Sequence, residues 1–181
     1  MTSTNPFEEL YRENVAYVWR SLYRLGCPRF EVADATHDVF LIAFKKLQDF
    51  EHRSSFRTWL FGICYRQTLE RRRAAAKHVT AAPAAVDALV DHRPDQSLVL
   101  ERSRQMAALE AILVRLSVEQ RAVFTLHELE GLDGNAIAQA LGIPKGTVYS
   151  RLRAARDVFW KAVHQRQAQE SFPRPAQAGS R

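Results

Sequence analysis

The sequence has little cysteine, glycine or proline and no long apolar run. Its 181 residues include two cysteines, seven glycines and seven prolines, which excludes a disulfide scaffold, a collagen-like chain and a Pro/Gly-rich low-complexity chain. No stretch approaches the about 18 consecutive apolar residues of a membrane-spanning helix. The first residues lack the basic patch and apolar core of a signal peptide. We therefore expect a cytoplasmic protein without membrane insertion.

Residue patterns that support catalysis or metal binding are also missing. Cys27 and Cys64 are not in CxxC spacing, and the six histidines are scattered, so no metal-ligand set with recognisable spacing is present. No nucleophile–base pair and no phosphate-binding glycine loop can be assembled. We expect two buried structural cysteines, no metal, no cofactor and no enzymatic activity.

Apolar residues recur at helical spacing along most of the chain, and no alternating strand pattern is evident. The sequence predicts helices from Pro6 to Leu25, from Val32 to Phe50 and from Ser55 to Lys77. Helical patterning resumes near Leu98 and ends near Arg166. We predict an all-α fold of two small helical domains, residues 5–77 and 98–166, joined by a flexible linker over 78–97 and followed by a disordered tail over 167–181.

The net charge of +6 is concentrated in two places. Residues 66–77 contain five basic side chains and one acidic one, and residues 145–166 contain six basic and one acidic, giving +4 and +5. The two windows together exceed the charge of the whole chain. This distribution fits a polyanion bound at two points, although a solvated charged face remains an alternative.

The segment 130–156 has the pattern of a helix-turn-helix. Gly142 permits the turn, Pro144 begins the second helix, and its inward positions are Val148, Leu152 and Ala155. The outward positions form a donor-rich face that could reach phosphates and base edges in a major groove. They are Lys145, Thr147, Tyr149, Ser150, Arg151 and Arg153. The alternative is a helical hairpin with a basic surface and no role on DNA.

Two further surfaces lie in the N-terminal half. On the helix from Val32, the stripe Asp34, Asp38, Leu41 and Lys45 places an apolar residue among charges, which suits protein docking but also suits a plain solvated face. The polar loop 51–55 and the helix behind it combine aromatic, polar and cationic side chains, as a site that holds an unstacked base requires. Phe50, Trp59 and Phe61 fit core positions better, and Phe56 fits either role.

The segment from Val114 to Arg156 resembles region 4 of bacterial sigma factors of the sigma-70 family, and Gly146-Thr147-Val148 with Ser150-Arg151-Leu152 resembles the extracytoplasmic-function (ECF) group. The segment from Asp34 to Arg73 resembles region 2 of the same family. The chain departs from the family pattern at His37, Asp38 and Arg66, where Gln, Glu and Asn are common, and at Tyr149, where Lys or Arg is common.

The resemblance implies a set of contacts for each module. The helix carrying Asp34, His37, Asp38, Leu41 and Lys45 is expected to dock on the β′ clamp helices of core RNA polymerase. A second set is expected to capture and melt the −10 promoter element: His52, Arg53, Ser54, Ser55, Phe56, Arg57, Tyr65, Arg66, Arg71, Arg72 and Arg73. Since consecutive arginines cannot share one helical face, we expect two of Arg71–Arg73 to reach phosphate. The helix with Lys145, Gly146, Thr147, Tyr149, Ser150, Arg151 and Arg153 is expected to read the −35 element.

The implied function is that of an ECF sigma factor, which binds core polymerase through the β′ clamp helices and the β flap, recognises promoter DNA and promotes its melting. The resemblance further implies an anti-sigma factor as a partner. Two alternatives remain: a stand-alone helix-turn-helix regulator, which would bind palindromic DNA without polymerase, and a decoy that sequesters an anti-sigma factor. The two basic windows argue against the decoy.

Overall fold

In a computed structural model, the chain is described over residues 6–78 and 98–171, and these residues form helices without a β-strand. Residues 1–5, residues 79–97 of the linker predicted over 78–97, and residues 172–181 lie outside the described ranges, and residue 78 is the last residue of a helix. The helices are α1 (Pro6–Leu25), α2 (Val32–Lys46), a short 3₁₀ helix (Leu47–Asp49), α3 (Phe56–His78), α4 (Leu98–Leu113), α5 (Val118–Phe124), a π-helical turn (Thr125–Leu129), α6 (Gly134–Leu141) and α7 (Lys145–Ser171).

Local chemistry at the helix ends explains why the N-terminal elements begin and end where they do. Gly26 adopts a positive φ of 94° after the last residue of α1, a conformation that costs glycine little. The amide of Cys27 then donates to the carbonyl of Leu22 at 3.0 Å. At the start of α3, the Ser55 hydroxyl accepts from the amide of Thr58 at 3.1 Å. Both predicted boundaries are confirmed to within one residue.

The helix-turn-helix predicted near the C-terminus is present as α6 and α7. Asp133 caps α6, because its Oδ1 accepts from the amides of Asn135 and Ala136 at 2.8 Å each. Gly142 ends α6 in the left-handed region with φ of 66°. The carbonyl of Pro144 accepts the first hydrogen bonds of α7, so the proline lies one position before the helix.

The two modules share a hydrophobic core. Its largest cluster of buried side chains draws on both modules, with fully buried examples from α1, α3, the π-helical turn and α6: Val18, Leu22, Leu60, Phe61, Leu126 and Ile137. A second cluster within the C-terminal module contains Leu113, Leu116, Phe124 and Ala155. The described parts of the predicted domains are therefore packed against each other, with α3 facing α6 and α1 facing α5.

Three details differ from the sequence-based expectations. The sequence pattern put Phe44 on the buried face of α2, but its side chain is 58% exposed and packs edge-on against Phe7, with ring centroids 4.9 Å apart. The helix α7 continues to Ser171, so residues 167–171, predicted as the start of a disordered tail, are helical. Among the described residues, no helix is both long and apolar enough to cross a membrane.

Candidate nucleic-acid interface

The predicted docking stripe lies on the outer surface of α2. Asp34, His37 and Lys45 are exposed, and Leu41 is 46% exposed. An apolar side chain of this size held in water among charges is the arrangement that a protein partner can bury. Asp38 differs from the other members of the stripe because it is half-buried and already binds a cation from α3.

That cation is Arg71, the first of three consecutive arginines. Its Nη2 lies 2.6 Å from Oδ2 of Asp38, and its Nη1 lies 3.3 Å from Oε2 of Glu31. Burial lowers the pKa of the Arg71 guanidinium, but the hydrogen bond and charge of Asp38 outweigh burial, so that the pKa is raised. Arg72 and Arg73 are exposed on the same helix. Arg71 is thus held by two carboxylates, and contact of Arg72 and Arg73 with phosphate stays a prediction.

The loop before α3 holds an aromatic cluster beside polar side chains. Phe56 packs against Phe50 and Trp59, with ring centroids 5.6 and 5.5 Å apart, and His52 packs against Phe50 at 4.4 Å. His52 has a positive φ of 54°, which is uncommon for a residue with a Cβ and recurs at functional loops. Phe56 is half-buried, so part of its ring is accessible to a ligand.

The remaining residues of this loop are polar and lie near the surface. Arg53 is ion-paired with Glu51 at 2.6 Å, and both side chains are largely exposed. The Ser54 hydroxyl donates to the carbonyl of Ser55 at 3.3 Å. The loop therefore carries polar and charged side chains next in sequence to the aromatic cluster.

Arg57 lies at the start of α3 and is held against α1. Its guanidinium carbon is 5.5 Å from the centre of the Tyr17 ring, and its Nε donates to Oδ1 of Asn14 at 3.4 Å. The cation therefore rests on an aromatic face while its side chain stays exposed. This positions Arg57 beside the aromatic cluster at the N-terminal end of α3.

Tyr65 is buried, although the resemblance to sigma factors implies that it contacts DNA. Its side chain is 4% exposed, and its hydroxyl accepts a hydrogen bond from Nη1 of Arg151 at 3.3 Å. Arg66 beside it is exposed, yet partial burial lowers the pKa of its guanidinium. In the described arrangement, this part of α3 faces the C-terminal module rather than solvent.

The outer face of α7 is mostly as predicted. Lys145, Gly146, Tyr149, Ser150 and Arg153 are exposed and Thr147 is half-buried, whereas the inward positions Val148, Leu152 and Ala155 are at most 2% exposed. Arg151 is the exception on the outer face. It is half-buried because its guanidinium reaches across to Tyr65. The exposed donors on the first turns of α7 thus include two cations, Lys145 and Arg153.

Residues that the sequence did not nominate form the junction between the modules. The Tyr17 hydroxyl lies 2.9 and 3.0 Å from the two carboxylate oxygens of Glu130. Burial raises the pKa of both groups, and for Glu130 it outweighs the opposing effects of Tyr17, Arg24 and Arg57. The partners lie 113 residues apart in sequence, so no local pattern could pair them.

A close approach of two backbones lies beside this hydrogen bond. Gly62 in α3 lies so near the carbonyl oxygen of Ala140 in α6 that a Cβ atom at position 62 would overlap that oxygen. An isolated glycine within a helix costs stability unless packing requires it. Gly62 is therefore the junction residue for which the sequence did carry a signal.

Comparison with known proteins matches two separate segments of the chain to family models. Residues 10–78 match the family model for sigma-70 region 2, and residues 106–157 match the model for sigma-70 region 4. The ECF RNA polymerase sigma factor SigM of Mycobacterium tuberculosis is 33% identical over 154 residues, which covers 83% of this chain and 73% of SigM. A second relative, the ECF RNA polymerase sigma factor SigE of Mycolicibacterium smegmatis, is 31% identical over 151 residues. The match covers 83% of this chain and 58% of SigE.

A solved structure shares the fold. The sigma factor RpoE of Bartonella quintana, crystallised with the anti-sigma factor NepR, superposes with a TM-score of 0.66 at 21% identity, covering 87% of this chain and 96% of that one. Together with the two matched regions and the identity to SigM, these findings show that the chain belongs to the ECF group of the sigma-70 family of RNA polymerase sigma factors.

Proposed function

We propose that this chain is a promoter-specificity subunit that binds core RNA polymerase, recognises −35 and −10 elements and promotes DNA melting at the start of transcription. The family consists of transcription initiation factors rather than enzymes, and we assign no catalysis to this chain. The observation that carries the proposal is that sigma-70 regions 2 and 4 are both present in one chain. Each region has an exposed face whose side chains suit the contacts proposed for it.

The N-terminal module supplies the polymerase contact and the −10 contact. Leu41 and the charges around it would dock on the β′ clamp helices, since an exposed leucine ringed by polar groups has the anatomy of a small interface core. The aromatic cluster around Phe56 would receive an unstacked base, with Arg72 and Arg73 on the backbone phosphates. Arg57 would add a third cation beside the aromatic cluster, at the N-terminal end of α3.

The C-terminal module supplies the −35 contact. The exposed donors on α7 would enter the major groove, with Ser150 and Arg153 toward base edges or phosphates and Lys145 toward the backbone. The same module would bind the β flap. The segment 78–97 would join the two contacts within the polymerase, and the whole assembly would operate in the cytoplasm.

An anti-sigma factor is proposed as the regulatory partner. The related RpoE structure contains the anti-sigma factor NepR, and an exposed apolar face on α2 is accessible to an inhibitor as well as to polymerase. Because an anti-sigma factor would compete for this face, purified partner should reduce association of the chain with core enzyme.

In vitro transcription tests the proposal directly. Core polymerase with and without the purified chain is supplied with a library of randomised promoters, and transcript start sites are sequenced. The proposal requires that the chain direct initiation to sites sharing two separated elements. Start sites that do not depend on the chain would reject it. Tight binding to a palindrome without core enzyme would instead support a stand-alone regulator.

A further inference from the structure

We propose that an arginine-lined cavity beside the loop between α1 and α2 binds a small organic polyanion in which an aromatic ring carries several phosphates, namely a nucleoside polyphosphate. The cavity has a volume of about 510 Å³ and is lined by that loop and by residues of α3, of the C-terminal end of α4 and of α5. Small-molecule sites typically have volumes of about 300–1,000 Å³. The space therefore suits a nucleotide, whereas a single phosphate ion would leave most of it unfilled.

The first line of support is the charge of the cavity lining. The lining contains five arginines against two glutamates, giving +3. The arginines are Arg24, Arg29, Arg71, Arg72 and Arg121. A guanidinium group keeps its charge when it is partly buried and binds phosphate through paired hydrogen bonds. A lining of this composition therefore attracts anions and favours phosphates in particular.

The two glutamates of the lining lie near three of these arginines. Oε2 of Glu31 is 3.3 Å from Nη1 of Arg71. Glu110 is under the influence of Arg24 and Arg29, and burial raises the pKa of its carboxyl group despite their opposing charges. The acidic groups of the lining are thus associated with one part of the cavity and leave the cations of the other part to an incoming anion.

Arg121 carries a buried charge without an acidic partner. Its side chain is 9% exposed, its Nε donates to the carbonyl of Leu116 at 3.0 Å, and its Nη2 donates to the carbonyl of Val114 at 2.9 Å. Within residues 6–78 and 98–171, no carboxylate forms an ion pair with this guanidinium. Because buried charges in proteins are normally paired, the arrangement lacks the counter-charge that a bound anion would supply.

The remaining nitrogen of this guanidinium is placed to meet such an anion. The hydrogen bonds to the two carbonyls use Nε and Nη2 of Arg121, so Nη1 keeps its donors. Nη1 lies so near Gly26 that a Cβ atom at position 26 would overlap it, and both residues line the cavity. A glycine at this position therefore allows the cation to reach the cavity wall.

Arg72 adds an accessible cation to the same lining. It is exposed on α3, and its charge is, after burial, the second cause that lowers the pKa of Arg121. Arg72 also influences Glu119 of α5, but that carboxylate is not part of the cavity lining. A phosphate group bound by both arginines would replace their mutual repulsion by two attractions.

The aromatic side chains of the lining favour a ligand that contains a ring. Phe30 is 77% exposed, and Tyr23 is half-buried and stacks on Trp19 with ring centroids 5.6 Å apart. Phe30 and Tyr23 both line the cavity. Nucleobases stack on aromatic side chains of this kind, so a base could cover Phe30 while its phosphates bind the arginines.

A bound ligand would also affect promoter binding, and this consequence rests on the proposed function. Arg72 lines the cavity and is proposed to bind a phosphate of the −10 element. One guanidinium cannot serve both phosphates fully, so the ligand and the DNA would compete for it. The ligand would therefore weaken promoter binding without touching the −35 contacts of α7.

Equilibrium dialysis of the free, full-length chain with ATP tests the proposal. ATP is the probe because it joins a planar base to a chain of phosphates, and EDTA is added so that no metal ion screens those phosphates. Adenosine supplies the ring without phosphates, and inorganic triphosphate supplies phosphates without the ring. We expect saturable binding of ATP with a dissociation constant below about 1 mM, and weaker binding of both fragments.

Substitutions at exposed positions separate this site from a general basic surface. Arg72→Gln should weaken ATP binding about tenfold, as loss of a charge-assisted hydrogen bond implies. Phe30→Ala should weaken it at least about fivefold, as loss of a stacked base implies. Arg20→Gln is the matched control, because it removes an exposed arginine of α1 that does not line the cavity. It should bind ATP as the parent chain does. Arg121 is left intact, since its guanidinium holds two backbone carbonyls.

Thermal unfolding gives a second readout of the same site. A ligand that binds only the folded chain raises the midpoint of unfolding. We expect ATP to raise the midpoint of the parent chain and of Arg20→Gln, and to raise that of Arg72→Gln and Phe30→Ala less at the same concentration. The midpoints measured without ATP show whether each variant folds.

Four results would overturn the proposal. Absence of saturable ATP binding by the parent chain would remove the site, and parental binding by both Arg72→Gln and Phe30→Ala would place ATP elsewhere. Equal affinity for inorganic triphosphate and ATP would exclude recognition of a ring. Tighter binding of a short polyglutamate peptide than of ATP would assign the cavity to an acidic protein segment. Because these measurements use neither polymerase nor DNA, failure of the chain to direct transcription would reject the proposed function and leave the ATP result standing.

Discussion

Arg71 of α3 holds Asp38 of α2, with its Nη2 2.6 Å from Oδ2 of the carboxylate. The pair joins the helix proposed to bind the DNA backbone to the helix proposed to dock on polymerase. The Arg71 side chain is 28% exposed and the Asp38 side chain is 44% exposed. A partly buried, charge-assisted pair of this kind fixes the relative position of two helices more firmly than an exposed ion pair does.

The Arg71–Asp38 pair predicts that the three consecutive arginines differ in their contribution to DNA binding. Each phosphate contact changes the slope of log affinity against log salt by about 0.9. We expect Arg72→Gln and Arg73→Gln each to reduce the slope of holoenzyme binding to promoter DNA by about this amount. Arg71→Gln should leave the slope unchanged and should lower the free energy of unfolding by about 1 kcal/mol, because it removes a partly buried ion pair.

The measurements are promoter binding at several salt concentrations and urea unfolding of the free chain. Asp38→Asn serves as the control, since it breaks the same ion pair without touching an arginine. If Arg71→Gln reduces the salt slope as much as Arg72→Gln does, then Arg71 leaves Asp38 to bind phosphate. The assignment of Arg71 to a structural role would then be wrong.

The docking face is best tested at Leu41. The alternative substitution Asp38→Arg would place a second cation beside Arg71. Its effect on polymerase binding would therefore be mixed with an effect on the stability of the fold. Leu41 is 46% exposed, and Leu41→Arg should therefore abolish co-elution with core polymerase while leaving the thermal midpoint nearly unchanged. Lys46→Ala, an exposed change on the same helix outside the stripe, is expected to co-elute normally. Co-elution of Leu41→Arg at the parental level would remove this face from the interface.

The local parts of this fold follow from short-range chemistry. Ser55 caps α3 and Gly26 ends α1 because hydroxyl capping and a positive φ are properties of single residues. The inward positions Val148 and Leu152 follow from helical spacing in the same way. Such features could be predicted from the sequence.

The junction could not be predicted in this way. Tyr65 and Arg151 are each compatible with an exposed role on their own helix. They lie 86 residues apart in sequence, and only the packing of the two modules brings their side chains together. The prediction that Phe44 is buried was wrong for a related reason. Helical spacing assigns a side chain to one face of the helix but does not show whether another element covers that face. The candidate residues on α2 and on the outer face of α7 were therefore easier to nominate than those on α3.

Arg153 and Arg151 are predicted to contribute differently to −35 recognition. Arg153 is exposed on α7, and Arg153→Ala should reduce transcription from a −35-dependent promoter by about 5- to 150-fold, as loss of one base or phosphate contact of about 1–3 kcal/mol implies. Arg151→Ala should cost less on the same promoter, because Arg151 is half-buried and its guanidinium is directed to the Tyr65 hydroxyl. Lys161→Ala lies in the same basic window and is the control for charge. Equal transcription by Arg153→Ala and the parent chain would exclude Arg153 from the reading face.

Phe56 is predicted to act after the first DNA complex has formed. Its ring is half-buried against Phe50 and Trp59, and Phe56→Ala should leave closed-complex formation intact while reducing permanganate reactivity of the −10 thymines. Stacking of one base is worth about 1–3 kcal/mol, so the loss should be at least about fivefold. Phe56→Leu separates stacking from packing, because leucine fills apolar space without a flat face. If Phe56→Leu melts the promoter normally, the ring supports the loop and does not stack on a base.

The packing of the two modules against each other is predicted to weaken as pH rises through the mildly acidic range. The carboxylate of Glu130 is faced by Tyr17, Arg24, Arg57 and Cys64, and burial raises its pKa above the ordinary 4.5. If separation of the two modules returns Glu130 to solvent, the packed form binds the proton more tightly. Its added stability is therefore complete below the ordinary pKa and is lost as pH rises through the raised value.

This effect is measured by energy transfer between dyes on Gln48→Cys and Gln139→Cys, two exposed positions in different modules, followed from pH 4.5 upward. We expect transfer in the parent chain to fall with rising pH and transfer in Glu130→Gln to stay high, because a neutral amide cannot ionise and can still accept from the Tyr17 hydroxyl. Glu110 also has a pKa raised by burial and is faced by Arg24 and Arg29, so Glu110→Gln is the matched control. A pH response that is unchanged in Glu130→Gln but lost in Glu110→Gln would assign the linkage to α4 instead of to the Tyr17–Glu130 hydrogen bond.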